Sequence, residues 1–597
     1  MTATLWFTTL ALPLLVAAAL ALTSVPRRPA DDSTPRGPEG PLARTMLLVA
    51  PLTALPALAL TAVPGASLDV PWLLIGTHLH VDDVARPMVL VAGLLYAAAL
   101  AAVAWAGYRG GRDLVAFLLV CQVGTIVVFT AADTATFYLG YALMSFAAYG
   151  LVVNSRTAAA FRAGRVYITL TVLSECAVLA ALVLITSSGG RMVTDAPRAV
   201  ADSEHTALIV ALLLAGFGVK AGTVPLHVWL PLAHPAAPPA ASAVLSGAMV
   251  KAGLVGWLRF LPLGEAELPG WGLLLVLLAL AGAFLAVPAG ELQDEPKVVL
   301  AYSTISQMGF LAALVGVALA STELAPAVIP AAVAYAVHHA LAKGALFLGV
   351  PAWSHHAHGA RRWVVMVGLA GAALAVAGAP FSSGAVGKYA AKNAVEGAEI
   401  FGVDLVDLLP LIATGSTLLL LRAGWLLVRR EPDSRPRPDA ELWAWLLLVA
   451  TGIVVPWVVT DRWLPLARVP GLDPVTLWEA SWPILLGLAI GLLALALSRQ
   501  QLLPRWAAHP DGHTIPPGDI VVPEEHLFRV SEAAVAAAVN TGRTVRERGS
   551  DGLRRSLPIE AAGRAYDSSE ASLSSRPGSG AVVVLFCVSL IVAGVVS

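Results

Sequence analysis

Seven ionisable residues lie inside stretches of sequence that are otherwise apolar. They are Glu175, Lys220, Lys251, His338, His339, Lys343 and Lys388. A charge at the centre of a bilayer costs at least ~3 kcal/mol even on lenient scales, so such residues usually mark an ion path or a buried pair. Lysine and histidine suit proton transfer, because desolvation disfavours the ammonium form and imidazole titrates near neutral pH. The pattern predicts a chain of proton-exchanging groups, with His227 and His234 as further candidates for a relay.

Prolines interrupt two of the stretches that carry these lysines. Pro225 and Pro231 follow Lys220, and the segment GAPFSSGAVGK places Pro380 shortly before Lys388. Proline removes a backbone donor, and an opened helix is tolerated in a membrane only where protein or water satisfies the freed carbonyls. One broken helix in each half of the chain is typical of a repeat-built transporter with its site near the membrane midplane. We therefore expect the breaks to give water access to lysines that change charge.

Other interpretations of single residues stay open. Lys343 or Lys388 could extend along its helix to the membrane surface, and Glu175 could be a carboxylate that pairs with a lysine for structural reasons alone. The cluster SHHAHGARR at residues 354–362 looks like a metal-binding tract. It lies at a basic membrane edge without a Cys or carboxylate beside it in the sequence, which favours a solvated loop over a metal site.

Composition restricts the class of protein. Of the 597 residues, 57% are hydrophobic and only 13% are charged, and the mean hydropathy is +0.76, which together indicate a polytopic membrane protein. The net charge of −1 offers no basic surface for a nucleic-acid partner. Cys121, Cys176 and Cys587 are far apart in apolar runs, so we expect no disulfide framework, metal site or cofactor. No nucleophile–base set or phosphate loop is present, and catalysis by this chain alone is not expected.

Apolar stretches of about 20 residues, the length that crosses a bilayer, recur about sixteen times. They lie at residues 5–25, 45–63, 88–107, 113–132, 135–153, 166–187, 206–224, 240–261, 271–290, 297–320, 326–350, 362–382, 405–428, 441–459, 478–498 and 581–596. We therefore predict an all-α polytopic membrane protein. The stretch at 5–25 is expected to be the first span and not a signal peptide, because no basic region precedes it.

The loops between these stretches predict an orientation. Arginine-rich loops follow the odd-numbered spans, and loops after even-numbered spans are poorer in Lys and Arg. By the positive-inside rule, both termini are expected to face outward from a bacterial cytoplasmic membrane. The Pro-rich linker at 26–41 and the polar region at 499–580 are expected to lie outside the bilayer, and residues 524–548 in the latter have the pattern of an amphipathic helix.

The segment from Gly216 to Phe260 resembles a family signature. GFGVKAGTVPLHVWLPLAHPAAPPAASAVLSGAMVKAGLVGWLRF is similar to the signature of the proton-conducting antiporter-like subunits of respiratory complex I, of membrane-bound hydrogenases of the formate hydrogenlyase type and of Mrp sodium/proton antiporters. AYSTISQMGF (301–310), HHALAKGALFLG (338–349) and GAPFSSGAVGKY (378–389) match further motifs in the expected order. The resemblance covers roughly residues 110–425, and LAHPAAPPAASAVLSGAMVK is closer to the hydrogenase-type subunit than to the Mrp D subunit.

The resemblance implies a division of the chain. Two inverted five-helix repeats, each with one broken helix, are expected at about residues 113–261 and 271–428. Residues 1–112 then contain N-terminal helices and the linker, 429–498 further transmembrane helices, 499–580 the polar region and 581–597 the last span.

The resemblance also assigns roles by motif match. Lys220 corresponds to the broken-helix lysine and Lys251 to the central lysine, His338 or His339 with Lys343 to the connecting relay, and Lys388 to the terminal residue of the second broken helix. The chain departs from the family at one position. Ala142, in FYLGYALMSFAAYG, stands where the family usually has a glutamate that pairs with the broken-helix lysine. Either Glu175 replaces that glutamate, or the first half-channel is modified or inactive.

Three functions are therefore considered. The first is a proton-translocating subunit of a complex I-like or hydrogenase-like complex, with other antiporter-like and small membrane subunits as partners in the lipid bilayer. The second is a subunit of an Mrp-type cation/proton antiporter that moves Na+ against protons. The third, motivated by Ala142, is a partly non-conducting scaffold.

Overall fold

The computed structural model describes residues 2–23, 40–73, 76–105, 111–433 and 438–520. Most of the predicted linker 26–41, the predicted amphipathic helix 524–548 and the predicted last span 581–596 lie outside the described residues. The described chain is helical, with two small antiparallel hairpins that the sequence analysis did not predict.

The N-terminal part contains three membrane-length helical segments and one hairpin. Its elements are α1 (Thr2–Leu22), α2 (Pro41–Val49), a 3₁₀ turn (Ala50–Ala54), α3 (Leu55–Leu60), β1 (Ser67–Val70), β2 (Thr77–His80) and α4 (Ala85–Ala104). The hairpin pairs Ser67 with His80 and Val70 with Thr77.

A first set of five membrane-crossing segments follows, and its fourth segment is broken. The elements are α5 (Gly111–Thr130), α6 (Thr134–Val152), α7 (Ala158–Ser187), α8 (Ala196–Ala201), α9 (Thr206–Ala221), α10 (Trp229–Ala236), α11 (Pro239–Val244), a π-helical turn (Leu245–Met249) and α12 (Val250–Phe260). Asp133 caps α6 by accepting a hydrogen bond from Thr136 N, and Thr157 caps α7 in the same way through Ala160 N.

A second set of five segments also has a broken fourth member. The elements are α13 (Pro269–Glu291), α14 (Pro296–Ala320), α15 (Ala325–His356), α16 (Arg361–Ala377), α17 (Ser383–Ala394), β3 (Glu399–Ile400), β4 (Val403–Asp404) and α18 (Leu405–Val428). The described chain then continues through α19 (Asp439–Trp463), α20 (Pro474–Arg499) and α21 (Arg505–Ala508). The inverted relation between the two sets stays a prediction.

Thirteen helical segments of the described chain are long and apolar enough to cross a membrane, and α9 is a shorter apolar helix. The prediction of a polytopic helical membrane protein is confirmed. The count of sixteen spans stays a prediction, because the stretch at 581–596 lies outside the described residues and each broken helix is divided into short pieces.

Small residues allow the central helices to approach closely. A Cβ on Gly309 of α14 would lie 2.5 Å from Ala279 O of α13, and one on Gly253 of α12 would lie 2.6 Å from Phe217 O of α9. Such contacts are typical of helix packing in membranes. The two five-segment sets join where α10 packs on α14 and α11 packs on α15.

The bundle has two distinct ends. At the hairpin end, β1–β2 contacts the loop that precedes α6, and Arg259 at the end of α12 forms a bidentate ion pair with Asp82. At the opposite end, called here the tail end, residues 291–295 connect α13 to α14 and contact residues 510–515, which follow α21. Helix α13 runs from the hairpin end to the tail end.

Candidate functional site

The first broken helix opens between α9 and α10, at residues 222–228. Gly222 ends α9 in the left-handed conformation, with φ of +71°, which glycine adopts without strain. Pro225 lies within the break, whereas Pro231 lies in the first turn of α10, where a missing backbone donor costs little. The carbonyl of Val219 accepts hydrogen bonds from Trp229 Nε1 at 2.7 Å and from Gly222 N at 3.2 Å, so a side chain helps to satisfy a backbone group at the break.

Lys220 lies in the last turn of α9 between two tyrosine rings. Its Nζ is 5.4 Å from the ring centroids of both Tyr141 and Tyr167, and 3.4 Å from the Tyr167 hydroxyl. The side chain is buried. Cation–π contact stabilises a desolvated ammonium group, so the two rings provide an environment that the sequence analysis did not anticipate.

Glu175 lies buried on α7, one residue beyond Ser174, and neither carboxylate oxygen has a hydrogen-bond partner among the residues that the structure describes. Ser174 itself bridges Tyr141 to α9, because it contacts the Tyr141 hydroxyl at 2.9 Å and donates to Gly216 O at 2.7 Å. Ala142 is partly exposed. No ion pair joins Glu175 to Lys220 in the described structure, so the replacement of the family's usual glutamate by Glu175 stays a prediction.

Lys251 of α12 and His339 of α15 are in direct contact. Lys251 Nζ lies 2.7 Å from His339 Nδ1 and also donates to Ser246 O at 2.7 Å. Both side chains are fully buried. The contact exists because α11 and the π-helical turn before Lys251 pack directly on α15. It joins a nitrogen base of the first five-segment set to one of the second.

A second connection runs from the Lys251 region to Lys343 through hydroxyl groups. Ser246 Oγ contacts Thr304 Oγ1 at 2.8 Å, and Thr304 donates to Leu300 O at 3.0 Å. The same carbonyl accepts a hydrogen bond from Lys343 Nζ at 3.0 Å. Lys251 donates to the Ser246 carbonyl and not to the Ser246 hydroxyl, and Leu300 O only accepts hydrogen bonds, so these contacts place the two lysines near one another without forming an unbroken path for protons.

One face of α15 carries three of these contacts on successive turns. His339, Lys343 and Phe347 are four residues apart and therefore lie above one another on the helix. Phe347 stacks on the His234 ring with centroids 4.4 Å apart. His234 is buried, and its two ring nitrogens have no hydrogen-bond partner within the described chain, so it lies beside the lysine and histidine face without a direct polar contact to it.

His338 points to the second broken helix instead. Its Nδ1 is 3.2 Å from Ser383 Oγ, at the first residue of α17, and its ring meets the Tyr335 ring edge to face. The α16–α17 break contains Gly378, with φ of +87°, and Pro380. Lys388 returns from α17 to the end of α16, where its Nζ donates to Ala377 O at 2.7 Å. A cation at the carboxyl end of a half-helix is favourably placed with respect to the helix dipole.

The predicted residues therefore do not all lie in one group. Lys251, His339 and Lys343 belong to one hydrogen-bonded group, whereas Lys220 and Lys388 lie at the two breaks and form no direct hydrogen bond with that group in the described residues. Lys343 is fully buried and donates to Leu300 O, and the half-buried Lys388 donates to Ala377 O, so both side chains are held by backbone carbonyls.

His227 has a partner that the sequence analysis did not identify. In the break between α9 and α10, its Nε2 lies 2.9 Å from Asp519 Oδ2 of the polar region that follows α20.

The sequence analysis also did not identify four residues whose hydroxyl groups lie near the buried lysines: Tyr141, Tyr167, Ser246 and Thr304. The only sequence signal for these four residues is a hydroxyl group within an apolar run, and such hydroxyl groups often form a hydrogen bond with the nearby backbone.

The expectation of a solvated loop at residues 354–362 is wrong for its first histidines. His355 and His356 end α15, and their rings lie 2.8 and 3.3 Å from Glu441 Oε2 of α19. The carboxylate comes from a residue distant in sequence, which is why the local pattern did not reveal it. Among the described residues, no group of three or more His, Cys, Asp or Glu side chains could hold a metal ion.

Part of this chain matches a known protein family. Residues 131–381 match the family model described as NADH:quinone oxidoreductase/Mrp antiporter, transmembrane. The matched residues are called here the antiporter-like domain. The domain includes Lys220, Lys251, His339 and Lys343, and it ends just after Pro380. The family resemblance noted in the sequence is confirmed.

Individual relatives agree with this assignment. Hydrogenase-4 component B of Escherichia coli (strain K12) is 32% identical over 287 residues, which are 46% of this chain and 43% of the relative. NADH-quinone oxidoreductase subunit N of Laribacter hongkongensis (strain HLHK9) is 31% identical over 272 residues, 43% of this chain and 55% of the relative. The match therefore spans about half of the length of these curated relatives, and it lies in the antiporter-like domain.

A solved structure extends the similarity of fold beyond that domain. A chain of the Mrp complex from Dietzia sp. DQ12-45-1b superimposes with a TM-score of 0.70 and 22% sequence identity, covering 94% of this chain and 62% of the other. At this identity the likeness concerns the fold alone. It supports the helical membrane architecture that the described elements have.

Proposed function

We propose that this chain is a proton-translocating subunit of a multi-subunit membrane complex of the complex I or hydrogenase type. The observation that carries the proposal is the buried 2.7 Å contact between Lys251 Nζ and His339 Nδ1. An amine and an imidazole at this distance can exchange a proton without moving apart. Lys343, one turn further along α15, continues the same face.

In this proposal the two broken helices connect the buried group to water. Lys220 is the charge-changing group of the first break, held between Tyr141 and Tyr167, and Lys388 is that of the second break. Glu175, His234 and His338 border the path, Pro225 and Pro380 lie within the breaks, and Pro231 lies in the first turn of α10. A buried ammonium group without a paired carboxylate releases its proton more readily, because desolvation acts unopposed.

A neighbouring redox module or subunit would drive the transfer by changing charge or conformation next to one break. The relatives are named as a component of a hydrogenase and a subunit of a quinone oxidoreductase, which supports assembly with other membrane subunits. The loop charges favour a bacterial cytoplasmic membrane with both termini outward. Protons are the proposed cargo, and the chain itself needs no cofactor for this role.

A second candidate is a subunit of an Mrp-type cation/proton antiporter. The description of the matching family model includes Mrp antiporters, and the fold is shared with a chain of an Mrp complex. Unwound backbone carbonyls can coordinate Na+. Here, however, Lys388 and Trp229 already donate to two of these carbonyls, and the buried groups are nitrogen bases that bind protons. The chemistry therefore favours protons over Na+.

A third candidate is a scaffold whose first half does not conduct, because Ala142 provides no carboxylate and Lys220 has no ion-pair partner among the described residues. The variant Ala142→Glu separates this candidate from the first. We expect the added carboxylate to change the transport rate, because it stabilises the charged form of Lys220. An unchanged rate would favour a purely structural first half.

The proposal is tested with the full chain in its purified membrane complex, reconstituted into vesicles that contain a pH-sensitive dye. We expect Lys251→Ala to lower proton transport by at least about tenfold. Lys392→Ala is the matched control, because Lys392 is a half-buried surface residue that pairs with Glu479 at 2.9 Å. Wild-type transport by Lys251→Ala would overturn the proposal, and transport that requires a Na+ gradient without an electron donor would establish the antiporter.

A further inference from the structure

A segment distant in sequence folds back onto the antiporter-like domain at the tail end. Gly512 N donates to Leu292 O at 3.1 Å, Gln293 Nε2 donates to Ile515 O at 2.8 Å, and Arg422 donates to Pro510 O at 3.3 Å. These contacts attach residues 510–515 to the turn between α13 and α14 and to α18. The position of the chain that follows, up to Asp519, is fixed by this attachment.

The attached segment delivers a carboxylate into the first broken helix. Asp519 Oδ2 lies 2.9 Å from His227 Nε2, and the side chains are 21% and 5% exposed, respectively. Asp519 therefore faces water more than its partner does. His227 lies in the unwound residues 222–228, and its buried Nδ1 has no hydrogen-bond partner in the part of the chain that the structure describes. The pair thus combines a carboxylate that is partly open to water with a buried ring nitrogen, His227 Nδ1, that forms no hydrogen bond with the described residues.

The charge state of the pair suits proton uptake. Burial opposes ionisation of Asp519, but its contact with the His227 ring and the backbone N–H of Ile520 hold the pKa of this carboxyl below its ordinary value of 3.8. At neutral pH the carboxylate is therefore ionised and able to accept a proton. The ring beside it has one nitrogen facing Asp519 and the other facing the interior, which is the arrangement of a proton shuttle.

We infer that Asp519 and His227 form the point at which protons pass between water and the first broken helix, so that the tail supplies a transport residue that lies outside the matched domain. A proton from water binds an Asp519 oxygen and passes to His227 Nε2, while the proton on Nδ1 of the ring passes to a water molecule in the break; the reverse order applies to release. No bond other than those to the proton changes. This inference rests on the proposed function.

Substitutions can distinguish a structural role of Asp519 from a role in proton transfer, because the two roles require different properties of the side chain. Asparagine has the shape of aspartate and can still hydrogen-bond to His227, but it cannot carry a proton. Glutamate can carry one. Asp511, in the same segment, is exposed and accepts a hydrogen bond only from the nearby His513 N, so Asp511→Asn removes a carboxylate from the segment without touching the broken helix.

The test compares Asp519→Asn, Asp519→Glu, Asp511→Asn and Lys251→Ala in the full membrane complex in vesicles. We expect Asp519→Asn to lower proton transport by at least about tenfold, Asp519→Glu to restore most of it, and Asp511→Asn to match wild type. Added azide, a small weak acid that can carry protons, is expected to recover transport in Asp519→Asn. Recovery of this kind would not occur if the carboxylate only held the segment in place.

The outcomes separate this inference from the proposal on which it rests. Wild-type transport in Asp519→Asn together with loss in Lys251→Ala overturns the inference alone. Equal loss in Asp519→Asn and Asp511→Asn, or a loss that neither glutamate nor azide recovers, also overturns it, because the segment then acts as a brace. Wild-type transport in both Asp519→Asn and Lys251→Ala overturns the proposed function itself.

Discussion

Lys251 Nζ and His339 Nδ1 lie 2.7 Å apart in the buried middle of the bundle, one on α12 and the other on α15. Each residue belongs to a different five-segment set, so the contact connects the two halves of the antiporter-like domain. His339 Nε2 has no hydrogen-bond partner among the described residues. The ring can accept a proton from Lys251 on Nδ1, and release from Nε2 requires a water molecule as the acceptor.

Removal of this ring should interrupt transfer between the halves. We expect His339→Ala to lower proton transport by at least about tenfold, because the contacts through Ser246, Thr304 and Leu300 O include a carbonyl that only accepts hydrogen bonds and cannot pass a proton on. Dye quenching in vesicles measures the rate. His205→Ala, at an exposed site before α9, is the control. A normal rate in His339→Ala would contradict proton transfer through this ring.

Lys388 should contribute to stability as well as to transport. Lys388→Met leaves Ala377 O at the end of a half-helix without its donor, and an unsatisfied buried carbonyl costs about 1–3 kcal/mol. We expect a lower midpoint of thermal unfolding in detergent. Lys392→Met, in the same helix, loses only a partly exposed ion pair worth about 0–1 kcal/mol. Equal midpoints for the two variants would contradict the contact with Ala377.

Close packing of α9 and α12 should be sensitive to one added methyl group. In Gly253→Ala the new Cβ would lie 2.6 Å from Phe217 O and 2.7 Å from Ala221 N, so α12 must move away from the helix that carries Lys220. We expect a destabilisation of about 1–3 kcal/mol, measured by thermal unfolding. Gly371→Ala, where a Cβ has nothing within 4 Å, should be neutral or slightly stabilising.

The ion pair at the hairpin end should make stability depend on pH. Burial opposes ionisation of Asp82, but the Arg259 guanidinium holds the pKa of this carboxyl below its ordinary value of 3.8. A depressed folded-state pKa stabilises the protein above the unfolded-state value, and this contribution is lost as the pH falls through the folded-state value. Wild type should therefore lose stability on acidification below about pH 4.

The variant Asp82→Asn should lack that pH-dependent contribution. We expect it to be less stable than wild type at pH 7 by about 2 kcal/mol, the range for hydrogen bonds to charged groups, and to approach wild type in acid. Thermal unfolding at several pH values measures the difference. Asp83→Asn, at the exposed neighbouring position, should follow the wild-type curve. A constant gap between Asp82→Asn and wild type at all pH values would exclude ionisation of Asp82 as its cause.

Hydropathy and proline positions predicted much of the helical architecture. Lysines within apolar runs had to lie inside the bundle, since exposure to lipid is costly, and Lys220, Lys251 and Lys343 are all buried. The break at Pro380 followed from the residue types alone. The local sequence could also indicate that His339 and Lys343 share a helix face, because this depends only on their spacing.

Contacts between distant segments could not be predicted in the same way. The tyrosines around Lys220 come from α6 and α7 and are indistinguishable in the sequence from ordinary core aromatics. The Glu441 partner of His355 is 86 residues away along the chain. Hydropathy reports that a side chain leaves water, but it contains no information on which helix becomes its neighbour.

The partner of His227 is encoded 292 positions later in the chain. Shortened versions of this protein that stop after α20 would keep every helix of the antiporter-like domain and still differ from the native molecule at the first break. The same applies to chimaeras that exchange only the matched domain between relatives: a carboxylate for this histidine has to be transplanted separately, or the recipient has to supply its own.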